Sequence, residues 1–226
     1  MIHIAISGEI AGACPDLCIA AISCEVKNTP SDPLLWEEIL RQERLLCDTL
    51  SIDEINKWLP IKATRQAYRK LGKDPNRYRP SAEALRRRII RGLSLYRIDT
   101  LVDIVNFVSL ESGYSIGAFD MDKIRGKRIT LGVGQEGESY HGIGKGELNI
   151  SGLPVYRDSL GGIGTPTSDE ERTKITLSTS GLLLIINGFS GADGLQETSA
   201  LASCLLEKYA SATNIEILLT AASSPI

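Results

Sequence analysis

Histidine is nearly missing from this chain: His3 and His141 are the only two in 226 residues, so a Ser-His-Asp or Cys-His nucleophile has almost nothing to draw on. Cys14, Cys18, Cys24, Cys47 and Cys204 are an odd set without a C-x-x-C pair, which argues against a zinc site and for reduced, mostly buried thiols. No metal or other cofactor is expected. Long apolar runs are lacking too: the stretch from Leu182 to Ile186 falls far short of the ~20 residues a bilayer span needs. The N-terminus also lacks the basic-then-apolar order of a secretory signal. A cytoplasmic protein without membrane attachment is expected. None of the glycine-rich runs fits G-x-x-x-x-G-K-[ST] or a strand-coupled G-x-G-x-x-G, so a nucleotide-phosphate loop has little support. Carboxylates, amides and backbone groups remain for chemistry.

With 42% hydrophobic and 23% charged residues, the composition is that of a folded globular protein. The length suits one large domain or two small ones, no internal repeat or linker interrupts it, and residues 1–226 are read as one domain. Charge is unevenly spread. Residues 62–97 carry twelve basic and two acidic side chains, while acidic residues outnumber basic ones on both sides. Such a stretch is either an anion-binding surface or simply a solvated helix face.

HIAISGEI and LCIAAISCEV read as strands, separated around Gly12 and Pro15. Asp32 and Pro33 open a helix over 34–46, and a shorter one over 51–59 is expected to stop at Pro60. The basic stretch predicts a helical hairpin, 62–71 and 81–91, with Ser81 as N-cap of its second arm. On that arm Arg87, Arg88 and Arg91 fall outward, whereas Arg86 lands among Ala82, Leu85, Ile89 and Ile90 and needs an internal carboxylate or carbonyl. LVDIVNFVSLESG predicts a buried helix with Asp103, Asn106 and Ser109 as a polar line, which either fixes neighbouring loops or faces a pocket. Short glycine-punctuated strands follow. The chain ends as strand 182–187, helix 194–210 with Asp193 and Gln196 as a cap pair, and strand 215–220. The class is α+β, a mixed sheet with packed helices.

The run VDIVNFVSLESGYSIGAFDMDKIRG resembles the B3/B4 domain of the bacterial phenylalanyl-tRNA synthetase β subunit, where a Val-Asp-x-x-Asn-Tyr-Val helix precedes a Gly-x-x-x-x-Ala-Phe-Asp strand. RQAYRKLGKDPNRYRPSAEALRRRI, YRD and TSDEERT are similar to free-standing B3/B4 proteins, which lack an aminoacylation module. The core of the resemblance is residues 98–220. It implies an editing domain that hydrolyses the ester joining a wrong amino acid to the terminal ribose of tRNA. Asn106 carries over from the pattern directly. Gly117 stands where the synthetase pattern has a histidine, which implies a missing polar group, added volume and either a different amino-acid preference or a loss of activity. The acidic residue that recognises the amino acid is assigned to Asp169, in preference to Glu170, within GGIGTPTSDEE.

Asn106 and Asp169 are therefore the candidate catalytic pair. Gly117, Asp120, Asp158, Thr167, Ser168 and Arg172 are candidates for binding the aminoacyl end, Arg172 doubling as a possible partner of Asp169. Arg65, Arg69, Lys70, Arg77, Arg87, Arg88 and Arg91 are candidates for holding RNA phosphates. The function expected is a trans-acting aminoacyl-tRNA deacylase, with tRNA as partner. The alternatives are a tRNA-binding protein without turnover, or a pocket for a free amino acid or related metabolite.

Overall fold

A computed structural model describes residues 2–222. In chain order the elements are β1 (His3–Ile6), α1 (Gly8–Ala13), β2 (Cys18–Glu25), α2 (Pro33–Thr49), α3 (Leu59–Lys70), α4 (Ser81–Ile90), α5 (Thr100–Ser112), β3 (Ile116–Asp120) and β4 (Arg128–Val133). Two short strands, β5 (His141–Gly142) and β6 (Gly146–Glu147), make a hairpin. They are followed by β7 (Pro154–Arg157), β8 (Gly162–Thr165), β9 (Ser168–Asp169), β10 (Gly181–Gly188), α6 (Leu195–Ala210) and β11 (Thr213–Ala221). The class is α+β, as the sequence predicts.

One sheet, in the order β11-β2-β10-β3, is antiparallel throughout. The other, β1-β4-β7-β8-β9, is antiparallel except for its β1–β4 pair. Side chains alternate across a strand, so β2 and β10 serve two cores. Ile19, Ala21, Leu183 and Ile185 pack with Ile4, Ile129, Leu131 and Ile163 of the second sheet. On the opposite face, Ala20, Ile22, Leu184 and Ile186 meet Leu35, Ile39, Ile104, Val108 and Leu205 from the helices. β2 and β10 thus form a middle layer buried on both faces, which is why they read as continuous rather than alternating apolar runs, whereas edge strand β11 is largely exposed. No described helix is long and apolar enough to cross a membrane.

Several local expectations are corrected. GEIAGA forms α1, started by Ser7, whose hydroxyl accepts the Ile10 N–H at 3.3 Å. The expected 51–59 helix is reduced to a 3-10 turn at Ile55–Lys57, and Pro60 opens α3 instead of ending a helix, because a first-turn position needs no N–H. Ser81 does not cap α4; Pro80 precedes it, and the Ser81 N–H donates to the Pro166 carbonyl at 2.8 Å. Asp193 and Gln196 make no cap for α6, which begins after Gly194 at φ +84°. α5 is better defined: Asp99 accepts the Val102 N–H at 2.9 Å, and Gly113 closes the helix at φ +81°.

Arg86 finds the internal carbonyls it needs. Its Nε and Nη2 donate to the Leu110 carbonyl at 3.1 and 2.6 Å, and Nη2 also to Glu111 at 3.1 Å, so a cation covers the negative end of α5. The guanidinium lies 3.4 Å from the Trp58 ring centroid, and burial lowers its pKa to about 10 against the opposing Glu111.

Candidate functional site

β8 and β9 form a hairpin around Thr165, whose hydroxyl accepts the N–H groups of Thr167 and Ser168 at 3.1 and 3.0 Å and donates to the Ser168 carbonyl at 3.0 Å. This tight turn delivers Asp169 to the free edge of β3. Asp169 Oδ2 accepts the Ala118 N–H at 3.0 Å, a donor that β10 leaves unused. Its other oxygen faces two glycines: a β-carbon at Gly117 or Gly164 would lie 3.3 or 2.9 Å from Oδ1. Burial raises the carboxyl pKa to about 7, opposed by the Ala118 N–H and the charge of Lys145. Among the described residues Asp169 has no ion-pair partner. Tyrosines wall this region. Tyr140 donates to the Ser168 carbonyl at 2.6 Å, and Tyr156 to Asn187 Oδ1 at 2.7 Å. Burial raises both phenol pKa values, and the nearby Asp169 adds to the shift.

The volume expected at Gly117 is not open. A β-carbon there would sit 2.7 Å from Cζ of Phe119, and one at Gly164 would sit 2.5 Å from the same atom. The ring of Phe119, fully buried, crosses the slot the two glycines leave. Gly117 therefore accommodates a ring and does not enlarge a cavity.

Asn106 stands half-exposed on α5, its side chain free of hydrogen bonds among the described residues. Its companions in the polar line are engaged elsewhere: Asp103 accepts from Trp36 Nε1 at 2.6 Å, and Ser109 donates to the Tyr114 carbonyl at 2.7 Å. Those two fix loops. No hydrogen bond joins Asn106 to Asp169 among the described residues.

Arg172 pairs with Asp158, not Asp169. Its Nη1 and Nη2 reach the two oxygens of Asp158 at 3.0 and 2.9 Å, and Asp158 also accepts the Arg125 N–H at 2.8 Å. This bidentate pair holds the Asp158 carboxyl below the usual range although burial opposes it. Asp120 is likewise internal, accepting from Thr179 Oγ1 at 2.9 Å and from the Asp122 N–H at 3.1 Å. Thr167 shares a hydrogen bond with Tyr68 at 2.9 Å, and Ser168 pairs with Thr165 across the hairpin. Thr167 and Ser168 adjoin Asp169, whereas Asp120, Asp158 and Arg172 are committed to other contacts.

The basic hairpin is only partly a surface. Arg65 is 5% exposed and donates to Glu83 at 2.7 Å and to Asn76 at 2.7 Å, so it is withdrawn from any RNA-binding role. Arg87, expected to point outward, is turned onto the same fully buried Glu83 at 2.8 Å. Arg79 completes the cluster at 3.3 Å. A carboxylate needs cations to be buried, and three arginines supply them. Arg69, Lys70, Arg77 and Arg91 are exposed and Arg88 is half-exposed.

Sequence reasoning missed the second wall of the Asp169 site. The β5–β6 hairpin lies against it: Ile143 N–H donates to the Asp169 carbonyl at 3.0 Å, and Lys145 Nζ to the Thr167 carbonyl at 3.3 Å. Gly144 and Gly146, at φ +66° and +69°, let this hairpin turn tightly. The glycine spacing of HGIGKGE signals the hairpin, but only the fold brings Lys145 and Tyr140 to Asp169.

A three-layer α+β protein with a half-buried carboxyl at a sheet edge and a basic helical hairpin is the class defined so far. The B3/4 domain model matches residues 63–224, and the chain belongs to that family. It is similar to the phenylalanine-tRNA ligase beta subunit of Protochlamydia amoebophila (strain UWE25), 27% identical over 146 residues, covering 62% of this chain but 17% of that protein. The chain thus spans about a sixth of that relative's length. A crystal structure of an N-terminal fragment of the Pyrococcus horikoshii phenylalanyl-tRNA synthetase beta subunit is 13% identical, with a TM-score of 0.48 over 96% of this chain and 50% of that one.

Proposed function

We propose that this protein is a trans-acting aminoacyl-tRNA deacylase that removes a wrong amino acid from tRNA by hydrolysing its ester, the whole chain acting as one domain. The observation that carries the reading is the half-buried Asp169 carboxyl, which among the described residues has one backbone donor and no cation paired with it. Burying an unpaired acid is costly, so its retention is best explained by a ligand that donates to it. In this reading Asp169 receives the amino group of the aminoacyl end. Asn106, with its amide free of hydrogen-bond partners among the described residues, holds the ester or the attacking water. Ester hydrolysis needs a positioned water and donors for the developing oxyanion, and amide and backbone N–H groups supply both without histidine or metal. Exposed Arg69, Lys70, Arg77 and Arg91 hold tRNA phosphates, and half-exposed Arg88, which donates to Ser94 and Tyr96, adds its charge to the same surface. The compartment this reading requires is the cytoplasm.

Amino-acid release from a panel of mischarged tRNAs tests the proposal. Release from at least one of them is expected. If no substrate turns over while tRNA still binds with a steep salt dependence, the protein is a tRNA-binding protein without turnover. That second reading is favoured by one observation, Gly117, which carries no side chain where the family pattern has a histidine and which Phe119 packs against. Binding of a free amino acid without salt-dependent tRNA affinity would favour the third, a metabolite pocket.

A further inference from the structure

The segment joining α4 to α5, residues 92–98, is pinned along its length. Leu93 N–H donates to the Arg88 carbonyl at 3.1 Å, and Arg88 Nε to the Ser94 carbonyl at 2.7 Å. Leu95 N–H donates to Glu43 at 2.8 Å, and Ile98 N–H to Asp103 at 3.3 Å. Leu95 turns inward at 6% exposure, and its neighbours are thereby held outward: Leu93, Tyr96 and Ile98 are 52%, 64% and 59% exposed. Single exposed apolar side chains are ordinary, but three on one fixed segment mark a contact surface.

Charge decides what the surface contacts. The Arg88 guanidinium lies 3.8 Å from the Tyr96 ring centroid and donates to its hydroxyl at 2.9 Å, covering one face of the ring. Arg97 lies 4.4 Å from the Trp36 ring centroid, and Arg91 is exposed beside them in sequence. The acid beneath the loop, Glu43, is buried and already accepts from Ser94 and Leu95. Next to Leu93 the loop closes a shallow hollow of about 320 Å³ against Leu40, Arg44 and Asp48 of α2.

We propose that Tyr96, backed by Arg88, is a stacking platform for an unpaired base of RNA, with Arg91 and Arg97 taking the phosphates on either side. The proposal rests on the tRNA reading above and adds to it the part of the RNA that is held, a single-stranded segment. Bases present their faces only where they are unpaired, and an aromatic ring with one open face accepts any of them. The hollow beside Leu93 has room for a neighbouring base. An apolar protein partner would leave the arginines without counter-charge, whereas a polyanion supplies it.

The test uses an unstructured RNA oligonucleotide carrying 2-aminopurine, alongside uncharged whole tRNA. Binding to the parent is expected to quench the 2-aminopurine. Tyr96→Ala should weaken oligonucleotide binding by about 5- to 150-fold and abolish quenching, as should Tyr96→Leu, which keeps apolar area but has no ring. Tyr96→Phe should retain both. The salt slope should survive Tyr96→Ala and fall with Arg91→Ala and Arg97→Ala. If the parent binds tRNA but Tyr96→Ala quenches and binds like it, the platform is refuted and the tRNA reading stands. A parent that binds neither RNA overturns both. A parent dimer that Tyr96→Ala dissociates, with RNA affinity unchanged, assigns the surface to a second copy and overturns the platform.

Discussion

Cζ of Phe119 lies 2.7 Å from where a β-carbon on Gly117 would stand, so a side chain at that position requires the ring to shift. The two residues share a face of β3, two positions apart, and Gly164 of β8 closes the slot from the other side at 2.5 Å. Gly117 is thus explained by packing. In the deacylase reading, whatever contacts the aminoacyl group comes from the rim of this slot, where Asp169 lies.

Gly117→Ala and Gly164→Ala should each destabilise the protein by about 1–3 kcal/mol, because Phe119 is fully buried and cannot swing aside freely. Gly12→Ala is the control: nothing lies within 4 Å of its β-carbon, and inside a helix it should stabilise by roughly 0.5–1 kcal/mol. Adding Phe119→Leu to Gly117→Ala should recover part of the loss. Urea unfolding reads all four. Equal midpoints for parent and Gly117→Ala would show that the ring yields without cost.

Asp169 should make stability fall with pH. Its pKa is about 7 in the folded chain and about 4 when unfolded, so between those values the folded state binds more protons and loses stability as pH rises. The penalty is complete above pH 7. Asp169→Asn keeps an acceptor for the Ala118 N–H and removes the titration. Relative to the parent it should gain stability from pH 4 to 7 and be the more stable form at pH 8, by at most about 4 kcal/mol. A stability difference independent of pH would mean that Asp169 is ionised and well solvated throughout.

Arginines that look alike in sequence should separate. Arg65→Ala strips a cation from a fully buried carboxylate and should cost about 3–5 kcal/mol of stability. Arg69→Ala and Arg91→Ala, at exposed positions, should leave stability within about 0.5 kcal/mol. Each should instead lower the salt slope of tRNA binding by about 0.7–0.9 if it loses one phosphate contact. Thermal melts and salt titrations of the same variants check both halves, and an unchanged slope for the exposed pair would move the RNA surface off this hairpin.

Sequence pattern reached furthest where one physical effect dominates. β2, β10 and most of α5 are buried, so their apolar runs are unmistakable, and Asp32 and Gly113 mark helix ends by local bonding alone. α1 is six residues with two glycines and has too little periodicity to see. The inward turn of Arg87 was legible in principle, since Glu83 precedes it by one helical turn, but the burial of Glu83 depends on Arg65 from another helix. At the site, Asp169 and Asn106 stand out as residue types in context. The Phe119 ring, Tyr140, Lys145 and the Ala118 N–H reach Asp169 only through pairings far apart in sequence.

Asn106 and Asp169 should fail in different ways if the deacylase reading holds. Asn106 has a half-exposed amide with no partner among the described residues, so Asn106→Ala leaves no group unpaired and should fold with near-parent stability. If that amide holds the ester or the water in the transition state, hydrolysis should slow by about 10²-fold or more, the scale of one oxyanion donor, while tRNA affinity stays nearly unchanged. Asp169→Asn preserves shape and the Ala118 bond but removes the charge that meets the amino group. It should therefore raise KM more than it lowers kcat, since the amino group is held in ground and transition states alike. Steady-state deacylation on a substrate the parent accepts, with binding measured separately on uncharged tRNA, distinguishes the two. A folded Asn106→Ala variant with full activity would remove Asn106 from the chemistry and leave backbone donors at the sheet edge as the remaining means of holding the oxyanion.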